Sequence, residues 1–223
     1  MIDFEEPRRH LVEILRQQGI ADEAVLAAIG RVRREAFLPP ELADRAYDNV
    51  ALPIGSGQTI SQPYIVGLMS QELQVTRASR VLEVGTGSGY QAAVLAELAD
   101  SLVSVERVPE LLAAARRVLS ALGYDRIELH LANGTLGWPA GAPYDRIIVT
   151  AAGPSVPAAL LDQLAVGGRL VMPVGTLAEQ HLVAVVRTSD GFEEAGLGGV
   201  RFVPLVGEGG WPEGTTAPRE PDE

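Results

Sequence analysis

Residues 80–91 read RVLEVGTGSGYQ, and this stretch decides the fold class. The apolar run over 80–84 predicts a buried strand, and the glycines after it predict a tight loop that leads into a helix over 90–99. Glycines let a backbone pass close to a ligand because they carry no Cβ. A loop of this kind at the carboxyl end of the first strand is where open α/β sheets bind nucleotides. Tyr90 replaces the third glycine of the dinucleotide fingerprint G-x-G-x-x-G, so a dinucleotide site is not indicated.

Strand and helix patterns alternate on the carboxyl side of this loop. Continuous apolar strands separated by helices predict a parallel sheet covered on both faces. A turn pattern at 189–191 predicts that the last two strands pair as an antiparallel edge. The sequence therefore predicts an α/β, doubly wound, mostly parallel seven-stranded sheet. Strands are predicted over 80–84, 101–106, 126–131, 145–150, 168–174, 181–187 and 199–205, and helices over 90–99, 109–121 and 156–165.

Helical patterns also occur near the amino terminus, over 4–18 and 22–37, with Asp22 as the expected N-cap of the second. They predict flanking helices that form an N-terminal lid. We expect one domain over 1–206, in which 1–79 holds these helices and the segment after them, and 80–206 holds the cofactor-binding sheet. Residues 207–223 are rich in Gly, Pro and Glu, and this composition predicts a disordered tail.

The composition limits the possible partners. The 223 residues carry a formal net charge of −11, which disfavours nucleic acid as a partner. The same acidity requires that any anionic substrate be bound by local hydrogen-bond donors. No cysteine is present, which excludes thiolate zinc sites and a cysteine nucleophile, and His10, His130 and His181 lack the spacing of metal ligands. We therefore expect no metal. We also expect a cytoplasmic protein with no membrane partner, because no signal peptide or membrane-length apolar stretch is visible.

Polar residues stand at the ends of the first three predicted strands. Glu83 lies within the first strand, Glu106 ends the second, and Asn133 and Gly134 follow the third. An acid at the end of the second strand is placed to accept hydrogen bonds from ribose hydroxyls. The glycine loop and Glu106 together favour a nucleotide-like cofactor over a simple turn with a solvated acid, whereas Asn133-Gly134 alone is equally an ordinary turn.

Two motifs carry a family resemblance. The G-x-G-x-G loop with an acid two residues ahead resembles the first motif of class I methyltransferases. Residues 51–64, ALPIGSGQTISQPY, closely resemble the signature of protein-L-isoaspartate O-methyltransferases, with its core at 57–61 followed by Pro63. Further family motifs match in order at 81–91, 143–152, 167–175 and 201–205, and the resemblance covers roughly residues 8–206.

The resemblance implies a Rossmann-like class I methyltransferase that uses S-adenosyl-L-methionine, with S-adenosyl-L-homocysteine as product. The implied reaction esterifies the free carboxylate of L-isoaspartyl, and also D-aspartyl, residues in damaged proteins and begins their repair through a succinimide. Ser61 is implied as the catalytic residue that orients the acceptor carboxylate. At position 133 the family usually has an acid. The implied cofactor-binding residues are Gln58, Thr59, Ile60, Glu83, Gly85, Gly87, Ser88, Gly89, Glu106, Asn133 and Gly134.

Two alternatives remain open at this point. One is a related carboxylate O-methyltransferase that modifies a single dedicated peptide in natural-product biosynthesis. The other is a catalytically silent protein that binds the cofactor or a partner, although the intact run from Thr59 to Ser61 disfavours it. For the repair enzyme we expect a monomer whose partners are isoaspartyl-containing proteins and peptides.

Overall fold

The computed structural model describes residues 3–216. The chain opens with two packed helices, α1 (Glu5–Gln17) and α2 (Glu23–Arg31). The predicted N-cap of α2 is confirmed, because the Asp22 carboxylate accepts hydrogen bonds from two backbone amides of the first turn. The helix predicted over 22–37 is shorter than expected. It ends where Val32 turns to extended backbone (φ −72°, ψ 127°), and a single 3-10 turn follows over Arg34–Phe37.

The segment between these helices and the sheet holds a second 3-10 turn (Pro40–Arg45), a hairpin of β1 (Leu52–Gly55) and β2 (Gln58–Ile60), and α3 (Pro63–Leu73). The start of α3 is fixed by Asn49. Its Oδ1 accepts from the backbone amide of Tyr64 (2.9 Å), and its carbonyl oxygen accepts from Nε2 of Gln62 (2.9 Å). The chain is therefore held directly after Ser61, which joins the hairpin to the helix.

Seven strands form the main sheet in the order β5-β4-β3-β6-β7-β8-β9. The first five strands in this order, from β5 through β4, β3 and β6 to β7, run parallel. Strands β8 and β9 add an antiparallel edge. This confirms the predicted fold class. The strands are β3 (Arg80–Val84), β4 (Ser101–Glu106), β5 (Glu128–Leu131), β6 (Tyr144–Val149), β7 (Leu164–Gly175), β8 (Gln180–Arg187) and β9 (Phe192–Val200).

Helices α4 (Tyr90–Leu98), α5 (Pro109–Ala121) and α6 (Ala158–Asp162) complete the layers. Consecutive residues of β3 belong to different apolar clusters: Val81 packs with the layer that holds α1 to α4, and Leu82 packs with the layer that holds α6. The sheet is thus buried on both faces, as its continuous apolar strands predict. Within residues 3–216, no helix has both the length and the apolar character needed to cross a membrane.

The structure differs from the sequence-based prediction at its carboxyl end. The last strand is β9 over 192–200, not 199–205, and its exposed acids and glycines hide the strand pattern. Residues 203–205 instead run beside the loop after β6, with hydrogen bonds from Ala152 N–H to the Val203 carbonyl and from Leu205 N–H to the Ala152 carbonyl, each 2.8 Å.

The expected disordered tail is not seen over 207–216. Trp211 anchors this segment, because its Nε1–H donates to the Ala152 carbonyl (3.0 Å) and its backbone N–H donates to the Leu205 carbonyl (2.7 Å). One large aromatic residue therefore outweighs a composition rich in glycine and proline. The rest of the expected tail, residues 217–223, lies outside the described residues.

Candidate active site

A cleft lies at the carboxyl ends of β3, β4 and β6, where the chain changes from one half of the sheet to the other. Such switch points are where open α/β sheets bind ligands. The cleft encloses about 970 Å³ when the open solvent at its mouth is included. Its lining consists of residues 58–61, 66, 84–88, 90, 91, 105–108, 134, 150, 151, 203–206 and 215.

The three loop glycines have different structural roles. Gly85 (φ +98°) lies so close to Thr150 that a Cβ would come 2.3 Å from the Thr150 Oγ1. Gly87 (φ +53°) is not crowded, because an added Cβ would be in ordinary van der Waals contact with the Ile54 side chain at 3.7 Å. Gly89 (φ +90°) packs against α5, where a Cβ would lie 3.1 Å from the side chain of Leu119. Of these three glycines, Gly85 and Gly87 line the cleft and Gly89 does not.

Glu106 lies at the end of β4 with its carboxylate fixed by backbone amides. Oε2 accepts from Gly87 N–H (2.9 Å), and Oε1 accepts from the amides of Arg107 (2.8 Å) and Val108 (2.9 Å). This acid therefore holds the glycine loop to the next strand. A carboxylate oriented in this way still has lone pairs for hydroxyl donors of a ligand.

Glu83 is fully buried and does not line the cleft. Its Oε2 accepts from the Ser104 hydroxyl (2.5 Å), which in turn contacts the Thr86 hydroxyl (2.6 Å) at the start of the loop. Burial raises the pKa of the Glu83 carboxyl to about 8, the Ser104 hydrogen bond opposes this rise, and the nearby charge of Glu106 adds to it. Glu83 thus supports the loop from beneath as a carboxyl group that stays largely protonated at neutral pH.

Ser61 also lines the cleft, directly after β2, whose residues Gln58, Thr59 and Ile60 line it too. Its carbonyl oxygen accepts from the Arg34 guanidinium (3.0 Å). Within residues 3–216, no hydrogen bond of the Ser61 hydroxyl is found, and the cap of α3 comes from Asn49. A simple capping role for this hydroxyl is therefore not supported, and it is free to act on a ligand.

Most of the predicted site residues are thus brought together, namely Gln58, Thr59, Ile60, Ser61, Gly85, Gly87, Ser88, Glu106 and Gly134. Glu83, Gly89 and Asn133 are not among the lining residues. The Asn133 side chain caps the next turn, since its Oδ1 accepts from the Thr135 backbone amide (3.1 Å) and hydroxyl (2.9 Å). It also lies beneath Gly207, where a Cβ would come 2.3 Å from its Oδ1.

It was not predicted from the sequence that residues 211–215 contribute to the cleft; we call this segment its cover. Thr215 lines the cleft, and Glu213 pairs with the lining residue Arg107 at 2.7 Å and 2.8 Å. Thr150 was also missed as an individual site residue. Its hydroxyl donates to the carbonyl oxygens of Gly85 (2.7 Å) and Val84 (3.1 Å) and so shapes the loop. The isolated aromatic residue Trp211 was the sequence feature that could have indicated an ordered cover.

Comparison with known proteins bears on this arrangement. Residues 6–210 match the family described as protein-L-isoaspartate(D-aspartate) O-methyltransferase (PCMT). The chain belongs to this family. A protein-L-isoaspartate O-methyltransferase of Dictyoglomus thermophilum is 52% identical over 209 residues, covering 94% of this chain and 95% of the relative. Protein-L-isoaspartate O-methyltransferase 2 of Marinobacter nauticus is 54% identical over 213 residues, covering 94% and 97%.

Solved structures of the PCMT family have the same fold. A protein-L-isoaspartate O-methyltransferase superposes with a TM-score of 0.82 at 28% identity, covering 91% of this chain and 67% of that chain. A Plasmodium falciparum structure named as a protein of this family, in complex with S-adenosyl-L-homocysteine, gives a TM-score of 0.79 at 25% identity, covering 89% and 98%. The PCMT match ends at residue 210, so the contacts of Trp211, Glu213 and Thr215 lie beyond it.

Proposed function

We propose that the protein transfers the methyl group of S-adenosyl-L-methionine to the free carboxylate of L-isoaspartyl residues in damaged proteins, with D-aspartyl residues as a second substrate. One observation carries the proposal. In a chain of the PCMT family, the hydroxyl of Ser61, which has no hydrogen bond within residues 3–216, shares one cleft with the glycine loop and Glu106. We propose further that the enzyme acts as a monomer in the cytoplasm.

The residues of the cleft fit the cofactor. The fixed carboxylate of Glu106 is placed to accept from the ribose hydroxyls, and the glycine backbone at Gly85 and Gly87 lines the cleft where the amino-acid portion would pass. When bound, S-adenosyl-L-methionine supplies an electrophilic methyl group on a sulfonium. In this assignment Gln58, Thr59, Ile60, Ser88 and Gly134 complete the cofactor wall. Glu83 and Gly89 act through the loop.

On the acceptor side, Ser61 donates a hydrogen bond to one oxygen of the substrate carboxylate. A carboxylate is already ionised at neutral pH, so the reaction needs no general base. The work of the protein is to desolvate this group and to align its other oxygen with the methyl group. The resulting methyl ester cyclises to a succinimide, and hydrolysis of that ring partly restores normal aspartate.

The decisive experiment compares two peptides that differ only in Asp versus isoAsp at one position. We expect methyl transfer from labelled S-adenosyl-L-methionine to the isoAsp peptide, as a base-labile ester, and none above background to the Asp peptide. Equal transfer to both would contradict the proposal. A panel of isoAsp peptides with unrelated flanks separates the alternatives, because a dedicated enzyme modifies one of them and a silent protein modifies none.

A further inference from the structure

Arg34 is a buried cation beside the acceptor side of the cleft. Its side chain is 0% exposed, although it belongs to a short 3-10 turn after α2. The guanidinium donates to three backbone carbonyl oxygens, those of Ala46 (2.5 Å), Val50 (3.2 Å) and Ser61 (3.0 Å). It therefore ties Ser61 to the chain segment that precedes the hairpin.

The positive charge of Arg34 is not neutralised by an ion pair within residues 3–216. The neighbouring Glu35 points elsewhere, where it accepts from the Tyr47 hydroxyl and pairs with Arg8. The other close partner of Arg34 is the ring face of Tyr90, 5.6 Å from its Cζ. Burying a charge without a counter-ion is costly, and arginine keeps its charge even when buried.

A buried positive charge is favourable, however, if the cleft binds an anion. The chain as a whole is acidic, with a net charge of −11, so long-range attraction cannot bring a carboxylate to Ser61. A buried cation is little screened by salt, and here its guanidinium donates to the backbone carbonyl of Ser61, the residue that carries the hydroxyl. The hydrogen bonds of Arg34 to carbonyl oxygens also fix the backbone that carries this hydroxyl.

We propose that Arg34 is a positioning residue for methyl transfer: it orients Ser61 through the Ser61 carbonyl and makes the acceptor side of the cleft favourable for a carboxylate. The proposal rests on the proposed function. Arg34 itself does not line the cleft, so it acts through Ser61 and not by direct contact with substrate.

A double-mutant cycle tests this with four proteins: wild type, Arg34→Lys, Ser61→Ala and the double variant. Lysine keeps the charge but is a point donor that cannot span three carbonyl groups. We expect Arg34→Lys to lower kcat for an isoAsp peptide by roughly tenfold or more, as misplacement of a catalytic group does. In the Ser61→Ala background the same change should lower kcat less than about threefold, because Ser61 then has nothing left to orient.

Binding of S-adenosyl-L-homocysteine, measured by calorimetry, should stay within about twofold in all four proteins, and wild-type turnover is confirmed first. No wild-type turnover would reject the proposed function, whereas turnover with equal effects of Arg34→Lys in both backgrounds would reject only the role of Arg34. Arg33→Lys is the matched control, because Arg33 is the adjacent arginine and its side chain is 60% exposed. It should leave kcat unchanged.

A second variant, Arg34→Gln, keeps a donor for the carbonyl groups but removes the charge. We expect it to raise KM for the isoAsp peptide more than Arg34→Lys does, because the carboxylate then meets no positive potential. If neither variant binds S-adenosyl-L-homocysteine, Arg34 is a purely structural residue and the proposal is overturned.

Discussion

Ser61 and Glu106 line one cleft but differ in how their side chains are held. The Glu106 carboxylate is held by three backbone amides, whereas the hydroxyl of Ser61 makes no hydrogen bond within residues 3–216. A fixed group suits a cofactor that must be held in one pose, and a free hydroxyl suits a substrate that arrives on each turnover. Substitutions at the two residues should therefore change different measured quantities.

Replacing Ser61 by alanine should lower turnover of an isoAsp peptide roughly a hundredfold. The loss of one oriented donor costs ~2–4 kcal/mol in the transition state. Cofactor affinity should be nearly unchanged, and the pH–rate profile should keep its shape because no titrating base is removed. Steady-state kinetics with calorimetry checks both quantities. Ser61→Thr retains a hydroxyl and should recover part of the rate, and full activity in Ser61→Ala would remove the residue from the mechanism.

The buried carboxyl of Glu83 should make stability depend on pH. Burial raises its pKa from 4.5 to about 8 in the folded protein, so between these values the folded state binds the proton that the unfolded state has lost. The contribution of the Glu83 carboxyl to the free energy of unfolding is fully present below pH 4.5. It is lost as pH rises towards 8, by about 1.4 kcal/mol per pH unit at most. Glu83→Gln cannot titrate and should lose less stability over this window.

Urea unfolding of wild type and Glu83→Gln at pH 5, 6, 7 and 8 measures this effect as the difference between the two proteins. The difference should shift in favour of the variant as pH rises. Glu41→Gln provides the control, because Glu41 is exposed and has no ion pair within residues 3–216, and it should run parallel to wild type. A pH-independent difference for Glu83→Gln would mean that the carboxyl is ionised in the folded protein.

At the scale of elements, the central strands and helices were predictable and the elements around the acceptor were not. Strands β3 and β4 and helix α5 have the predicted bounds, because each is a long apolar or amphipathic run with clear ends. The β1–β2 hairpin and α3 were not predicted. The hairpin strands have only four and three residues, and α3 takes its cap from Asn49, fifteen positions before Tyr64.

The same distinction between local signals and distant contacts decides which residues of the candidate site were predictable. Residues in a contiguous motif, such as Gly85, Gly87 and Ser61, could be predicted because the motif contains the whole signal. Arg34 could not, since its partners Ala46, Val50 and Ser61 are brought to it by the fold. Gly89 was predicted as a cofactor residue on sequence pattern alone, and its contact with Leu119 depends on how α5 packs.

The glycine loop offers a test of this division of roles. Gly89→Ala places a Cβ 3.1 Å from Leu119 at φ +90°, so we expect a loss of stability of about 2–4 kcal/mol from backbone strain and overpacking. Gly87→Ala makes only an ordinary contact with Ile54 and should cost about 1 kcal/mol from backbone strain at φ +53°. Because Gly87 lines the cleft, this strain should act on the cofactor site and weaken cofactor binding about tenfold or more. Urea unfolding and calorimetry on both variants measure the two quantities, and equal effects on both would contradict the assignment.

At the scale of the whole molecule, distant parts of the chain meet over one cleft. Residues 58–61 form one wall, the loop after β3 forms another, and residues 203–206 with Thr215 cover it. The Arg107–Glu213 pair spans 106 positions in sequence and joins the cofactor wall to this cover. The cleft is therefore a property of the complete fold, which explains why no single motif defines it.

The net charge of −11 should act on the choice of substrate protein. Lys and Arg number 18 against 29 Asp and Glu, so the surface potential attracts cationic segments and repels acidic ones. We compare two isoAsp peptides with the same core and with distant flanks of either Lys or Glu. At about 20 mM salt, kcat/KM should be higher for the Lys-flanked peptide, by roughly tenfold if steering limits association.

Salt distinguishes this long-range effect from local contacts. The screening length falls to about 3 Å at 1 M salt. Charges on flanks far from the cleft should then no longer affect kcat/KM, and the ratio of the two kcat/KM values should fall towards one. The hydrogen bond from Ser61 to the acceptor carboxylate acts at contact distance, within this screening length, and should persist. A peptide with uncharged flanks therefore serves as the reference, because its kcat/KM should change little with salt. A Lys-to-Glu ratio that stays constant from low to high salt would show that flank preference comes from direct contacts and not from the charge of the molecule.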